Sequence, residues 1–113
     1  MRKFKSGATR DSDKVKDDYE GFLSPLVIKR FGEYMTKHRK MKDGSLRASD
    51  NWQKLFGDQH YEVCAKSLWR HFLYFWTAHR GYKTEEDIED SAMAILFNIM
   101  AYIHKRLKEK KQF

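Results

Sequence analysis

Apolar residues return at helical spacing in three stretches of the chain. The first is Leu23, Val27, Phe31 and Met35, each four positions from the last. Ser24-Pro25 supplies its start, an N-cap residue followed by proline at the first helical position, where a missing N–H costs nothing. The spacing predicts a helix that fades by Lys42, because Asp43-Gly44 is a turn signal. Residues 44–57 carry no such period and read as a loop with room for one helical turn.

The second stretch predicts a helix from about Asp58 to Arg80, with Gly81 as its stop. Its apolar line is Tyr61, Cys64, Leu68, Phe72 and Phe75, flanked by Trp69, Leu73 and Trp76. The opposite line, Lys66, Ser67, Arg70, His71, Tyr74 and Thr77, is polar without being simply charged. The third helix is predicted from Thr84, with Asp87 three residues on as a capping pattern, to about Lys110. Acids crowd its first turns and bases its last, the order the helix dipole favours. Its centre is apolar on nearly every side, and Ser91, Ala94, Asn98 and Ala101 form a line of small residues where another helix approaches closely.

These elements predict an all-α fold, three main helices packed as a small bundle. Residues 1–20 are polar and aperiodic and read as an extended N-terminal arm, leaving 21–113 as a single helical domain. At 113 residues, with 3 Trp, 6 Tyr and 8 Phe, the chain is long enough and aromatic enough for one core. A central helix apolar all round needs more cover than two others provide, so a homo-oligomer is expected.

Charge refines this picture. The net +7 comes from 23 basic and 16 acidic residues, and the excess lies between residues 21 and 80, around Lys37-His38-Arg39-Lys40. One cysteine, Cys64, excludes an internal disulfide and a cysteine-based zinc cluster and favours a reducing compartment. No apolar run follows the basic N-terminus, and the longest one, Ala92 to Ile103, has 12 residues broken by Asn98, against about 20 for a membrane span. The expectation is a soluble, cytoplasmic protein with no membrane partner.

Several groups carry candidate chemistry. Glu86/Glu89, Glu86/Asp90 and Asp87/Asp90 stand at spacings where two carboxylates can share one Mg²⁺. The plainer reading is an acidic helix start. Arg70-His71 sits in mid-helix among aromatics, as a phosphate-binding and proton-exchanging pair or as a hydrogen-bonded structural pair. Asn98, alone in its apolar run, either ties two helices or reaches a ligand, the structural role being preferred. The basic residues 37–42 with Tyr34, Trp52 and Tyr82 raise nucleic-acid binding. No zinc finger or RNA-recognition signature accompanies them, and the helix spacing is too long for a helix-turn-helix, so a solvated basic face is the plainer reading. There is no Gly-rich phosphate loop, and Cys64 on the apolar line reads as a core thiol.

A longer set of blocks points further. Gly7-Ala8-Thr9-Arg10-Asp11 and Asp18-Tyr19-Glu20-Gly21-Phe22-Leu23-Ser24-Pro25 are followed by Arg30-Phe31 with Glu33-Tyr34-Met35, then Ser49-Asp50-Asn51-Trp52-Gln53-Lys54. After these come Ser67-Leu68-Trp69-Arg70-His71, Ala94-Ile95-Leu96-Phe97-Asn98 and Tyr102-Ile103-His104. In this order the chain resembles the dATP/dGTP diphosphohydrolase N-terminal domain family of bacteriophages and prophages, and more distantly the all-α, MazG-like nucleoside-triphosphate pyrophosphohydrolases.

The resemblance implies a nucleotide ligand. It places Arg10, Lys14, Lys16, Asp18 and Lys54 among the nucleotide-binding residues, Asn51 and Trp52 at the base, and Arg70, His71 and Asn98 within the same site. It makes Glu33, Glu86 and Asp90 the catalytic candidates, with Glu86, Glu89 and Asp90 holding Mg²⁺ or Mn²⁺. The chain departs from the family pattern at Asp13, where glycine is favoured, and in a first helix whose only carboxylate between Ser24 and Lys40 is Glu33. A hydrolase of this kind needs carboxylates on two helices. The expected functions are therefore a metal-dependent purine dNTP pyrophosphohydrolase, or a metal-free protein that sequesters a linear or cyclic signalling nucleotide against host defence. A nucleic-acid-binding accessory protein is the third and least favoured reading.

Overall fold

The computed structural model describes residues 2–3, 7, 9–10 and 16–110, with side chains for residue 7 and residues 16–110. Lys14 lies outside the described residues, and Arg10 is described in its backbone only. The chain divides into two units, Met1–Arg30 and Phe31–Phe113.

In the first unit, β1 (Arg2–Lys3) pairs antiparallel with β2 (Thr9–Arg10), a two-residue ladder that periodicity does not foresee. A single helical turn, α1 (Tyr19–Phe22), is capped by Asp18, whose carboxylate accepts the Gly21 N–H at 3.0 Å. A Cβ at position 21 would lie 2.6 Å from that carboxylate, so a larger residue there would displace the Asp18 cap. Leu23 then turns extended, and Ser24 Oγ accepts the Val27 N–H at 3.3 Å to start α2 (Pro25–Lys37) as its Ser-Pro signal predicts. The helix ends five residues before Lys42, because the following segment folds into a small hairpin.

The second unit is an all-α assembly centred on two long helices, α3 (His60–His79) and α4 (Ile88–Lys110). Their seam is made of small and polar side chains. His60, Cys64, Ser91, Ala94 and Ala101 are each 0–1 % exposed and Asn98 is 5 % exposed. The small-residue line of α4 is thus where α3 approaches, and it admits no large ring. This is why Trp69, Phe72 and Trp76 are displaced to the outside of α3 although they belong to its apolar stripe. Two side chains stitch the seam. His60 Nε2 donates to the Ala101 carbonyl at 2.8 Å, and Asn98 Nδ2 reaches Ser67 Oγ at 3.1 Å and the Ala94 carbonyl at 2.8 Å.

α3 stops at Gly81, whose φ of +90° closes a left-handed cap with Tyr82 N–H on the Thr77 carbonyl and Gly81 N–H on that of Ala78. α4 begins four residues later than its Thr84 signal. Residues 84–87 are not helical, and Asp87 caps instead, accepting the Glu89 N–H at 3.0 Å and the Asp90 N–H at 3.4 Å. On one side of α4, Tyr34 is buried with Met93 and Ala94, with Phe31, Met35 and Ala92 packed around them. On that side too a 3₁₀ turn (Asn51–Lys54) sets Trp52 edge-on to Phe97 and His104, at ring distances of 5.9 and 5.0 Å. A second 3₁₀ turn, Gly57–Gln59, leads into α3. No helix among the described residues is long and apolar enough to cross a membrane.

Candidate functional site

Two hollows lie side by side in the second unit. The first, of about 480 Å³, is lined by Tyr34, Met35, Trp52, Phe56 and Phe97 and by the polar groups His38, Arg39, Arg47, Ser49 and Asn51. The local sequence explains this convergence. Asp43-Gly44 makes the predicted turn, with Gly44 at φ +88° and Asp43 Oδ1 accepting from both the N–H and the hydroxyl of Ser45. Those two bonds hold the Asp43 carboxyl below its usual pKa. Behind the turn, Lys40 bridges antiparallel to Leu46 and the Arg47 N–H bonds the Arg39 carbonyl, so Arg39 and Arg47 are brought abreast. Arg39 Nε donates to the Arg47 carbonyl at 2.8 Å and Arg47 Nη1 to the His38 carbonyl at 3.3 Å. A guanidinium has five N–H donors, so one bond each orients it and leaves donors to spare.

The rest of the lining is equally fixed. His38 Nδ1 donates to the Tyr34 carbonyl at 2.9 Å while its ring lies 4.1 Å from that of Tyr34. Leu55, just after the Trp52 turn, has φ +70° and ψ 172°, a region essentially reserved for glycine. Such strain persists only where surroundings impose it, and it gathers at binding sites. Nearby, the buried His60 accepts the Phe56 N–H on Nδ1 at 3.2 Å, which leaves Nε2 as the protonated nitrogen facing Ala101.

The second hollow, about 340 Å³, shares Tyr34 and His38 with the first and adds Lys37, Tyr74, Glu85, Glu86, Asp87 and Asp90. Burial, and then the charges of Glu86 and Asp90, push the Tyr34 phenol above its usual pKa. Glu86 Oε1 is 2.7 Å from His71 Nδ1, each side chain about a quarter exposed. The described residues include no group of three or more His, Cys, Asp or Glu side chains placed to hold one metal ion. The expected helical spacing of Glu86 with Glu89 and Asp90 does not exist, because Glu86 precedes α4.

The candidate residues therefore scatter. Asn51 and Trp52 enter the first hollow together; Glu86 and Asp90 enter the second. Glu33, Lys54, Arg70 and Glu89 are exposed and line neither hollow. His71 is paired with Glu86, and Asn98 serves the helix seam. Lys16 and Asp18 belong to the other unit, Asp18 as a helix cap. Arg47, which lines the first hollow beside Arg39, was not among the candidate residues. The signal for it is the Asp43-Gly44 turn, the tip of a hairpin that pairs residue 39 with residue 47. No family model, no curated protein and no solved structure matches this chain.

Proposed function

We propose that the chain binds a nucleotide in the hollow between Trp52 and the Arg39/Arg47 pair. The observation that carries this reading is the convergence of rings and cations on one cavity of about 480 Å³, a size suited to a small organic ligand. Trp52, Phe56 and Phe97 offer faces and edges to a base, Asn51 an amide to its polar edge, and the guanidiniums a fork for phosphate oxygens. This is also what the resemblance to nucleotide diphosphohydrolases implies.

Titration calorimetry with a panel of linear and cyclic nucleotides tests it. The expected result is saturable binding to the native chain that weakens in Trp52→Ala and in Arg39→Ala/Arg47→Ala. Absence of binding by every nucleotide, or binding indifferent to these substitutions, overturns it. A steep loss with salt and a preference for long polymers would assign the groove to nucleic acid instead.

Hydrolysis is a second reading, favoured by the carboxylate hollow that shares Tyr34 and His38 with the first. Among the described residues its carboxylates form no group of three that could hold one cation. Incubation with Mg²⁺ or Mn²⁺ followed by chromatography of the supernatant and the denatured protein separates the two. Pyrophosphate release that is lost in Glu86→Gln or Asp90→Asn supports an enzyme. Stoichiometric uptake with ligand recovered intact supports sequestration.

A further inference from the structure

Tyr34 is 9 % exposed and packed against Met93 and Ala94, yet its hydroxyl makes no hydrogen bond among the described residues. A buried phenol ordinarily finds a partner. The hydroxyl is not sealed in protein either, because Ser91 Oγ is the one fully buried side-chain polar atom there that lacks a partner. Burial, and then the charges of Glu86 and Asp90, raise its pKa, so it stays protonated beside those carboxylates. It therefore opens on the hollow that Tyr34, Glu86 and Asp90 line together.

That hollow is held in shape. Glu86 Oε1 lies 2.7 Å from His71 Nδ1, and the Glu86 carbonyl accepts the Thr84 hydroxyl at 2.5 Å. A carboxylate offers about four acceptor positions, so Glu86 keeps capacity for a further donor. Glu85 and Asp87 add charge, and the four carboxylates face one ammonium in the lining, that of the exposed Lys37.

We infer that the hollow binds a short aliphatic diamine or polyamine, one ammonium seated between Glu86, Asp90 and the Tyr34 hydroxyl oxygen. Three features select this class. An alkylammonium has three N–H donors and no acceptor, the complement of two carboxylates and a phenol oxygen. A bare divalent cation takes several oxygen ligands at once. No group of three His, Cys, Asp or Glu among the described residues is placed to hold one. The carboxylate excess favours a ligand with more than one positive charge, and the Tyr74 ring offers cation–π and apolar cover to its chain. A volume of about 340 Å³ equals on the order of ten water molecules at ~30 Å³ each, room for such a chain.

Calorimetric titration of the native chain with putrescine, no nucleotide being present, tests this site separately from the aromatic hollow. Either reading can then fail while the other stands. The expected result is saturable one-to-one binding, weakened at least about tenfold in Glu86→Gln. Tyr34→Phe, which keeps the ring and loses only the hydroxyl, is expected to weaken it severalfold. Circular dichroism checks that both variants are folded. Glu62→Gln, on the exposed surface of α3, should leave the affinity unchanged, and butylamine, with one charge, should bind more weakly than putrescine. No saturable binding, or binding indifferent to both site substitutions, overturns the inference. Tighter binding of Mg²⁺ than of putrescine would assign the hollow to a metal. Tighter binding of Nα-acetyl-lysine amide would assign it to a lysine side chain of a protein. Either result also overturns the inference.

Discussion

His60 and Ala101, 41 residues apart, are joined by a 2.8 Å hydrogen bond from imidazole to main-chain carbonyl inside a helix seam that water does not reach. The other ring nitrogen accepts from Phe56 N–H, so one side chain spans the approach to α3, α3 itself and α4. Replacing it orphans a buried carbonyl and a buried-side N–H and leaves a void. His60→Ala is therefore expected to cost about 2–4 kcal/mol, read as a lower urea midpoint with an unchanged slope.

Asn98 separates structural from ligand-binding roles. Its amide is committed to Ser67 and Ala94, so Asn98→Ala is expected to lose about 1–3 kcal/mol of stability. Nucleotide affinity at temperatures where the variant is folded should stay at the native value. A large affinity loss in a fully folded variant would return Asn98 to the binding site.

Arg39 and Arg47 are expected to behave differently from the exposed cations around them. Loss of one charged hydrogen-bonding group from a ligand contact costs about 1.5–3 kcal/mol, so either alanine variant should weaken nucleotide binding at least about tenfold. Lys66→Ala serves as the comparison, its partner being Glu62 on the surface of α3 at 3.8 Å. Calorimetry on the three variants at one salt concentration distinguishes a placed fork from general attraction.

Cys64 predicts an alkaline weakness. Burial pushes its thiol above the ordinary pKa. Between the ordinary value and the raised one, the folded state holds a proton that the unfolded state has released. Stability is thus fully present below the ordinary thiol pKa and falls as pH rises beyond it. The urea midpoint at about pH 9.5 is expected to lie below that at pH 7, with a smaller drop in Cys64→Ala. Thiol reagents should label the native protein far more slowly than the unfolded chain.

The limits of the sequence are as physical as its successes. Local signals were sufficient wherever one residue type answers one backbone demand. Ser24-Pro25 starts α2, Gly81 ends α3, and the line Ser91, Ala94, Asn98, Ala101 meets another helix. They failed where two signals compete. Thr84 and Asp87 can each cap a helix; Asp87 does so while Glu86, held just outside the helix, meets His71. The α3 stripe misleads in a similar way, since its largest rings are apolar and its seam is nevertheless built from His60, Cys64 and Ser67. The width left by α4, not hydrophobicity, decides what enters. Trp52 and Asn51 entered the candidate site through the family resemblance, and the structure sets them together in one short 3₁₀ turn lining the first hollow. Arg47 did not, because its place depends on a hairpin closing across eight residues.

Tyr34 forms a common wall between the two hollows and is itself 9 % exposed and pinned by Met93 and Ala94. A party wall cannot move for one room without moving for the other. Tilting its ring to widen the aromatic chamber narrows the acidic one, so their volumes are exchanged rather than independently adjustable.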